Sequence, residues 1–452
     1  MKDLTQGPIV RQILMMATPI AAGMIFQTLY FLIDLYFVAQ LGDTAVAGVS
    51  AAGNATFVVL ALTQVLGVGS VALISHAAGR KDQADANLVF NQSIALSAAA
   101  GLVVLVGIFT LSRGYLKSVA ADAGTLEAGE TYLYWYAPGL ALQFALVAMG
   151  SALRGTGIVQ PTMVVQILSV IVNAILAPIL IAGWGTGRPL GVAGAGLASS
   201  IALTVGVVML WMYFRKLEHY VGFDRKLWKP QMQQWKRILT IGLPAGGEFA
   251  LMFIYFAVIY IVIRDFGAEA QAGFGIGSRV MQSIFLPAMA LAFAAGPVAG
   301  QNFGAKNYPR VRETFRQCIV LISILMAALT LLAWWKPETF IGVFTHEQPV
   351  VEVGATFLRL ISLNFLAQGV IFTCSSMFQG LGNTKPALIS SATRLVTFAF
   401  PALWLSAQPN FRIEHVWYLS IATVTLQAIV SWWLLQAEFK RRLGAPAQVA
   451  AA

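Results

Sequence analysis

Stretches of about 20 apolar residues recur along the whole 452-residue chain, each the length needed to cross a hydrocarbon core. Inside a bilayer every backbone polar group must be satisfied by the protein itself, so helices and closed barrels are the available forms. Barrel strands alternate in polarity, whereas these segments are apolar all round. The expectation is therefore an all-α integral membrane protein. Its helices are predicted near 14–40, 52–75, 87–112, 131–152, 162–183 and 191–214, then near 238–263, 278–300, 315–335, 355–378, 388–407 and 414–436. Composition agrees: 11% of residues are charged, against about 25% in soluble proteins.

The chain also repeats itself at a constant offset of 225 positions. Pro19 recurs as Pro244, and Gly42, Ala45, Ala47 and Gly48 recur as Gly267, Ala270, Ala272 and Gly273. Gly79 and Lys81 match Gly304 and Lys306, while Phe90, Gln92 and Ile94 match Phe315, Gln317 and Ile319. Gln143 matches Gln368, and Gly155, Gly157 and Pro161 match Gly380, Gly382 and Pro386. A register this long without a gap marks an internal duplication. Six helices per copy is an even number, so both copies enter the membrane in the same direction and the repeats are parallel. The predicted divisions are an N-lobe over 1–214, a basic cytoplasmic linker over 215–236 and a C-lobe over 237–452, with a substrate cleft between the lobes.

A net charge of +10 invites a nucleic-acid reading, and its distribution argues against one. Roughly 20 Lys and Arg fall in loops on the side shared by both termini and about 8 on the other, the positive-inside pattern. Both termini are expected in the cytoplasm. The richest loop carries Arg215, Lys216, Arg225, Lys226, Lys229, Lys236 and Arg237. The start of the chain shows no small-residue cleavage site and reads as no removable signal peptide. Cys318 and Cys374 both fall in predicted helices and suggest no disulfide framework. His219, His346 and His415 show no metal spacing, and there is no P-loop, so no cofactor and no ATP hydrolysis are expected. No nucleophile–base pair or paired acids stand out, and the chain does not read as an enzyme.

Three charged residues sit within predicted helices: Asp34, Glu248 and Arg394. A charge in the membrane interior is costly and calls for a reason. Asp34 lies deep in helix 1, with Gln27 and Tyr30 on the same helical stripe. Its counterpart in the second copy is Ile259. A carboxylate in one copy only reads as a group that exchanges a proton or a small cation during transport. Asn173 in helix 5 and Ser199 in helix 6 are its expected polar companions. The three could supply hard oxygens to Na⁺, and a lone carboxylate with neutral partners serves H⁺ equally well. Glu248 and Arg394 are expected to pair across the second lobe, as scaffold or as coupling groups. Phe144, Met149, Met281, Phe285 and Met289 could line a cavity for flat hydrophobic cations, and are equally ordinary packing residues.

The six-plus-six repeat, the segment FLIDLYFVAQLGDTAVAGVS, the paired GRKD and GQNFGAKN loops, LRGTGIVQP with FQGLGNTKP, and the spacing from Pro19 to Asp34 carry a resemblance. Over nearly its full length the chain resembles multidrug and toxic compound extrusion (MATE) transporters. The resemblance implies two helical bundles in a V around a central cavity. It implies an antiporter, in which cation entry drives export of small organic, often cationic, compounds. It also implies a multi-pass protein of the prokaryotic plasma (inner) membrane, in contact with lipid and expected to act as a monomer. In the branch with a helix 1 carboxylate that residue takes the coupling cation, here Asp34. Two departures stand out. Where one branch places a second acid in helix 5, this chain reads Asn173-x-x-x-Ala177-Pro178, and where another uses an acid in helix 10, this chain offers Asn364 and Gln368. The alternative reading is a flippase of a lipid-linked precursor, which would need cationic residues such as Arg279, Arg359 and Arg394 gathered round the cleft.

Overall fold

A computed structural model describes residues 1–120 and 122–444. Among the described residues there is no strand, and twelve helices are long and apolar enough to cross a membrane. They are α1 (Ile9–Ala39), α2 (Asp43–Gly79), α3 (Gln83–Val119), α4 (Ala123–Gly155), α5 (Gln160–Ile181) and α6 (Val192–Lys216). The second set is α7 (Met232–Val262), α8 (Ala268–Gly304), α9 (Tyr308–Trp335), α10 (Gln348–Leu381), α11 (Lys385–Ser406) and α12 (Ile413–Leu443). The all-α, twelve-helix architecture expected from the apolar stretches is the one that forms. The helices outrun those stretches because polar caps continue them at the ends. Asp82, for example, accepts from the Asp85 amide at 3.0 Å to open α3. A turn of 3₁₀ helix at Ser362–Asn364 interrupts α10.

The chain forms two compact units, one of residues 1–3 and Thr18–Gly246, the other of Leu4–Ala17 and Gly247 onwards. The divisions fall inside α1 and α7, beside Pro19 and Pro244. A proline inside a helix removes one backbone hydrogen bond and weakens the rod locally. The linker over 215–236 is a folded strap on the first unit. Asn91 and Gln92 of α3, both fully buried, hold its backbone. Asn91 Oδ1 accepts from the Asp224 amide and from Trp228 Nε1, each at 2.9 Å. Gln92 Nε2 donates to the Leu227 and Lys229 carbonyls at 2.6 and 2.9 Å. The basic side chains of Arg225, Lys226 and Lys229 point outwards and are exposed.

The duplication reaches into the backbone. Lys81 and Lys306 both have φ 59° and are the two non-glycine residues with positive φ among the described residues. Each closes its helix in the same way: Asp82 N donates to Ala77 O and Asn307 N to Asn302 O, both at 2.9 Å. Gly157 and Gly382 repeat that closure after α4 and α10, with φ of 80° and 72°. There the amides of Ile158 and Asn383 reach back to the carbonyls of Leu153 and Phe378, the double-bonded left-handed cap that glycine favours. A side chain in this conformation costs about 1–2 kcal/mol. Gly157→Val and Gly382→Val should each lower the midpoint of thermal unfolding in detergent. An unchanged midpoint in both would show that the seams accept another backbone.

Candidate functional site

Four helices of the first unit bring polar side chains together around Asp34. The carboxylate sits on α1 and is buried, 8% exposed. Its Oδ1 accepts from Asn173 Nδ2 of α5 at 3.2 Å, and its Oδ2 accepts from Ser199 Oγ of α6 at 3.1 Å. Both companions expected from the sequence are therefore in place, and each is fully buried. Tyr30, one helical turn before Asp34, is buried beside it. Gln27 is half-buried on the same helix.

Small residues allow this convergence. A Cβ at Gly196 of α6 would lie 2.7 Å from the Tyr132 carbonyl oxygen of α4, and one at Gly194 would lie 2.4 Å from the Leu180 carbonyl oxygen of α5. Helix α6 thus runs against both neighbours at backbone distance, and Ser199 lies one turn further along. Gly196→Val should push α6 away and carry Ser199 off Asp34. The expected result is lower thermal stability together with a lengthened Ser199–Asp34 distance in a structure of the variant. Wild-type values for both would show that the close approach does not hold Ser199 in place.

The geometry adds Tyr132 and Tyr136, which the sequence reading overlooked. They lie four residues apart on α4, are 7% and 6% exposed, and stand within electrostatic reach of the Asp34 carboxylate. The signal was present in the repeat. Tyr30 recurs as Tyr255, but Tyr132 becomes Phe357 and Tyr136 becomes Ile361, so these hydroxyl-bearing rings accompany the unpaired acid. No cationic side chain comes within 4.0 Å of Asp34 among the described residues. Two buried oxygens at the site, Tyr30 Oη and Asn173 Oδ1, make no hydrogen bond. A carboxylate with neutral donors and spare oxygens is equipped to receive a small hard cation or a proton.

The second unit treats the same positions differently. Asp34 maps to Ile259 and Asn173 to Phe398, at 2% and 0% exposure. Phe357 and Ile361, in place of Tyr132 and Tyr136, are likewise buried. The retained Tyr255 shares a hydrogen bond with Ser420 Oγ at 2.7 Å.

Glu248 and Arg394 do not pair, against expectation. Glu248 Oε2 accepts from Ser375 Oγ of α10 at 3.1 Å. The Arg394 guanidinium lies over the Tyr255 ring, 4.0 Å from its centroid, with one hydrogen bond of 3.5 Å to Gln427 Oε1. Their places along parallel helices explain the separation. Gly247 of α7 packs against Leu388 of α11, six residues before Arg394, so the two charges sit at different depths. The three arginines weighed for a flippase also have separate surroundings. Arg359 is ion-paired with Glu338 at 2.8 Å, and Arg279 is exposed.

Of the aromatic and methionine residues weighed as cavity lining, Phe144 and Met149 are core residues at 1% and 2% exposure. They offer no surface in this conformation. Phe285 packs edge-on against Phe365 and Phe372, while Met281 and Met289 are half-buried.

A sequence model of the MatE family matches residues 19–179 and 244–405, once in each copy of the repeat. Multidrug export protein MepA of Staphylococcus aureus (strain MRSA252) is 26% identical over 421 residues, covering 92% of this chain and 91% of that protein. The probable multidrug resistance protein YoeA of Bacillus subtilis (strain 168) is 25% identical over 432 residues, covering 94% and 93%. Among solved structures, an outward-facing multidrug resistance MATE family transporter of the MOP superfamily shares the fold with a TM-score of 0.90, at 23% identity over 98% of both chains. A MATE structure in the bent conformation gives 0.91, at 23% identity over 97% of both. With its family model matched in both halves, the duplicated chain belongs to the MATE family of membrane transporters.

Proposed function

We propose that the chain is a secondary active exporter of small organic compounds, often cationic, driven by entry of H⁺ or Na⁺ through Asp34. The observation that carries this reading is the buried, unpaired carboxylate of Asp34 held by the neutral donors Asn173 and Ser199. A fixed negative charge in an apolar helix is stabilised by a mobile cation, and cation and substrate drive transport only if they favour different states of the protein. The multidrug relatives support the substrate class. The excess of Lys and Arg on one side supports cytoplasmic termini in the prokaryotic plasma membrane, and one chain holds the whole Asp34 site, which supports a monomer.

The test is flux in proteoliposomes. An imposed pH or sodium gradient should drive movement of a fluorescent organic cation, and the gradient that works names the coupling ion. Flux under neither gradient would undo the exporter reading. Flipping of a labelled lipid-linked pyrophosphate in the same vesicles would replace it with the flippase.

A further inference from the structure

Helix α4 is interrupted at its middle, and a side chain from α6 repairs it. Pro138 lies inside α4 and has no N–H, so the Tyr134 carbonyl one turn earlier loses its usual partner. At the next rung Ser200 of α6 enters the ladder. Its Oγ accepts from the Gly139 amide at 3.2 Å and donates to the Trp135 carbonyl at 2.7 Å. Those two groups are the ones an unbroken α-helix joins to each other. In lipid a disturbed backbone must be answered by a neighbouring helix, and serine hydroxyls serve that purpose.

Gly139 makes room for the repair. A Cβ there would stand 2.8 Å from Ser200 Cα and 3.0 Å from its Oγ. Ser200 is buried, whereas Pro138 is exposed, so the proline fills no core and its contribution is the break. The second unit breaks the same helix at the same point by other means. Pro138 and Gly139 correspond to Leu363 and Asn364, which lie in the 3₁₀ turn Ser362–Asn364 that interrupts α10. There the hydroxyl of Thr330 on α9 donates to the Ser362 carbonyl at 3.1 Å. Two different local solutions at one repeat position mark the break itself as the feature retained.

In the first unit the break adjoins the Asp34 site. Tyr132 and Tyr136, buried within electrostatic reach of the acid, occupy the turns of α4 just before Pro138. Ser199, which donates to Asp34 Oδ2, is the neighbour of Ser200 on α6. Consecutive serines therefore hold the acid and the broken helix.

We propose that Ser200 is a positioning residue for Asp34: by bridging Gly139 and Trp135 it keeps Tyr132, Tyr136 and Ser199 in register around the acid. The inference deepens the exporter reading and rests on it for its consequence in transport.

The test separates repair of the helix from positioning of the site. Ethidium export from proteoliposomes is measured against the concentration of the driving cation. Ser200→Ala should raise the half-saturating cation concentration by about 5-fold or more, the lower end of a linked change in affinity, and leave maximal flux within about 2-fold. It should also lower the thermal midpoint in detergent, since two buried backbone groups lose their bridge. Adding Pro138→Ala supplies the missing N–H and lets Gly139 bond Trp135 directly. The double variant should regain thermal stability but not the wild-type cation dependence. Recovery of both would reduce Ser200 to a structural repair and overturn the proposal, as would an unchanged half-saturation in Ser200→Ala. If Ser200→Ala does not purify, the double variant decides on cation dependence alone. If no gradient drives flux in the wild type, the exporter reading fails and thermal midpoints decide instead. Ser200→Ala and Asp34→Asn combined should then cost less than their separate effects summed, because both disturb one site; simple addition would overturn the positioning role.

Discussion

Asp34→Asn is expected to fold, to bind transported compounds, and to lose cation-driven efflux. The substitution nearly preserves shape. Its amide oxygen can still accept from Asn173 Nδ2, and its amide nitrogen can donate to Ser199 Oγ, replacing the bonds at 3.2 and 3.1 Å. What disappears is the charge, and with it, on the proposed exporter reading, the difference in cation affinity that would link one state of the protein to the other. A coupling free energy of about 1–3 kcal/mol corresponds to about 5–150-fold in linked affinity, and the drop in gradient-driven flux should lie in that range or beyond. Substrate binding at equilibrium, with no gradient, should change little. Wild-type flux in Asp34→Asn would remove Asp34 from the coupling role. Equal loss of binding and flux would make it a structural residue instead.

The companions of Asp34 divide the work, and that gives the prediction a second arm. Ser199→Ala removes one donor to the carboxylate, worth about 1.5–3 kcal/mol when the partner is charged, and leaves Asn173 in place. Coupling should weaken without vanishing. If Na⁺ is the ion, the apparent sodium affinity should fall more than the maximal flux, because a hydroxyl oxygen is lost from the site. If H⁺ is the ion, the pH profile should move while sodium has no effect.

Much of this was legible in the sequence because the membrane reduces the choices. Twelve apolar segments, an ungapped repeat and an acid deep in helix 1, Asp34, whose repeat position holds Ile259 are one-dimensional signals. Asp34, Asn173 and Ser199 could be named together since polar groups in apolar helices seek one another. Pairing in the second unit was not legible. Glu248 and Arg394 looked like partners because they were the remaining charges, but pairing depends on depth, and depth follows from how α7 and α11 align at Gly247 and Leu388. Glu248 found Ser375 instead. Tyr132 and Tyr136 were passed over because a tyrosine in a helix is ordinary, and only its replacement by Phe357 and Ile361 in the other copy sets it apart. Nor does Phe144 or Met149 announce from composition whether it fills a core or faces a ligand, since both tasks use the same apolar surface.

Ile259→Asp should sharply destabilise the protein and create no second coupling site. The position is the repeat equivalent of Asp34 and is 2% exposed, but the second unit has lost the groups that make an acid tolerable there. The amide of Asn173 is replaced by Phe398, which packs against Tyr255 with ring centroids 4.7 Å apart. Tyr132 is replaced by Phe357, locked between Phe274 and Trp417 at 5.3 and 4.8 Å. An unpartnered carboxylate in such surroundings carries a penalty of several kcal/mol. Yield in the membrane and thermal midpoint in detergent should both fall steeply. Restoring one donor should repair part of the damage: Ile259→Asp with Phe398→Asn should be more stable than the two single effects summed, because the new amide can reach the new acid as Asn173 reaches Asp34. That positive coupling is the quantity to measure. If Ile259→Asp alone is as stable as the wild type, the second unit holds polar compensation at that depth, and the chemical inequality between the two copies is smaller than their residues imply.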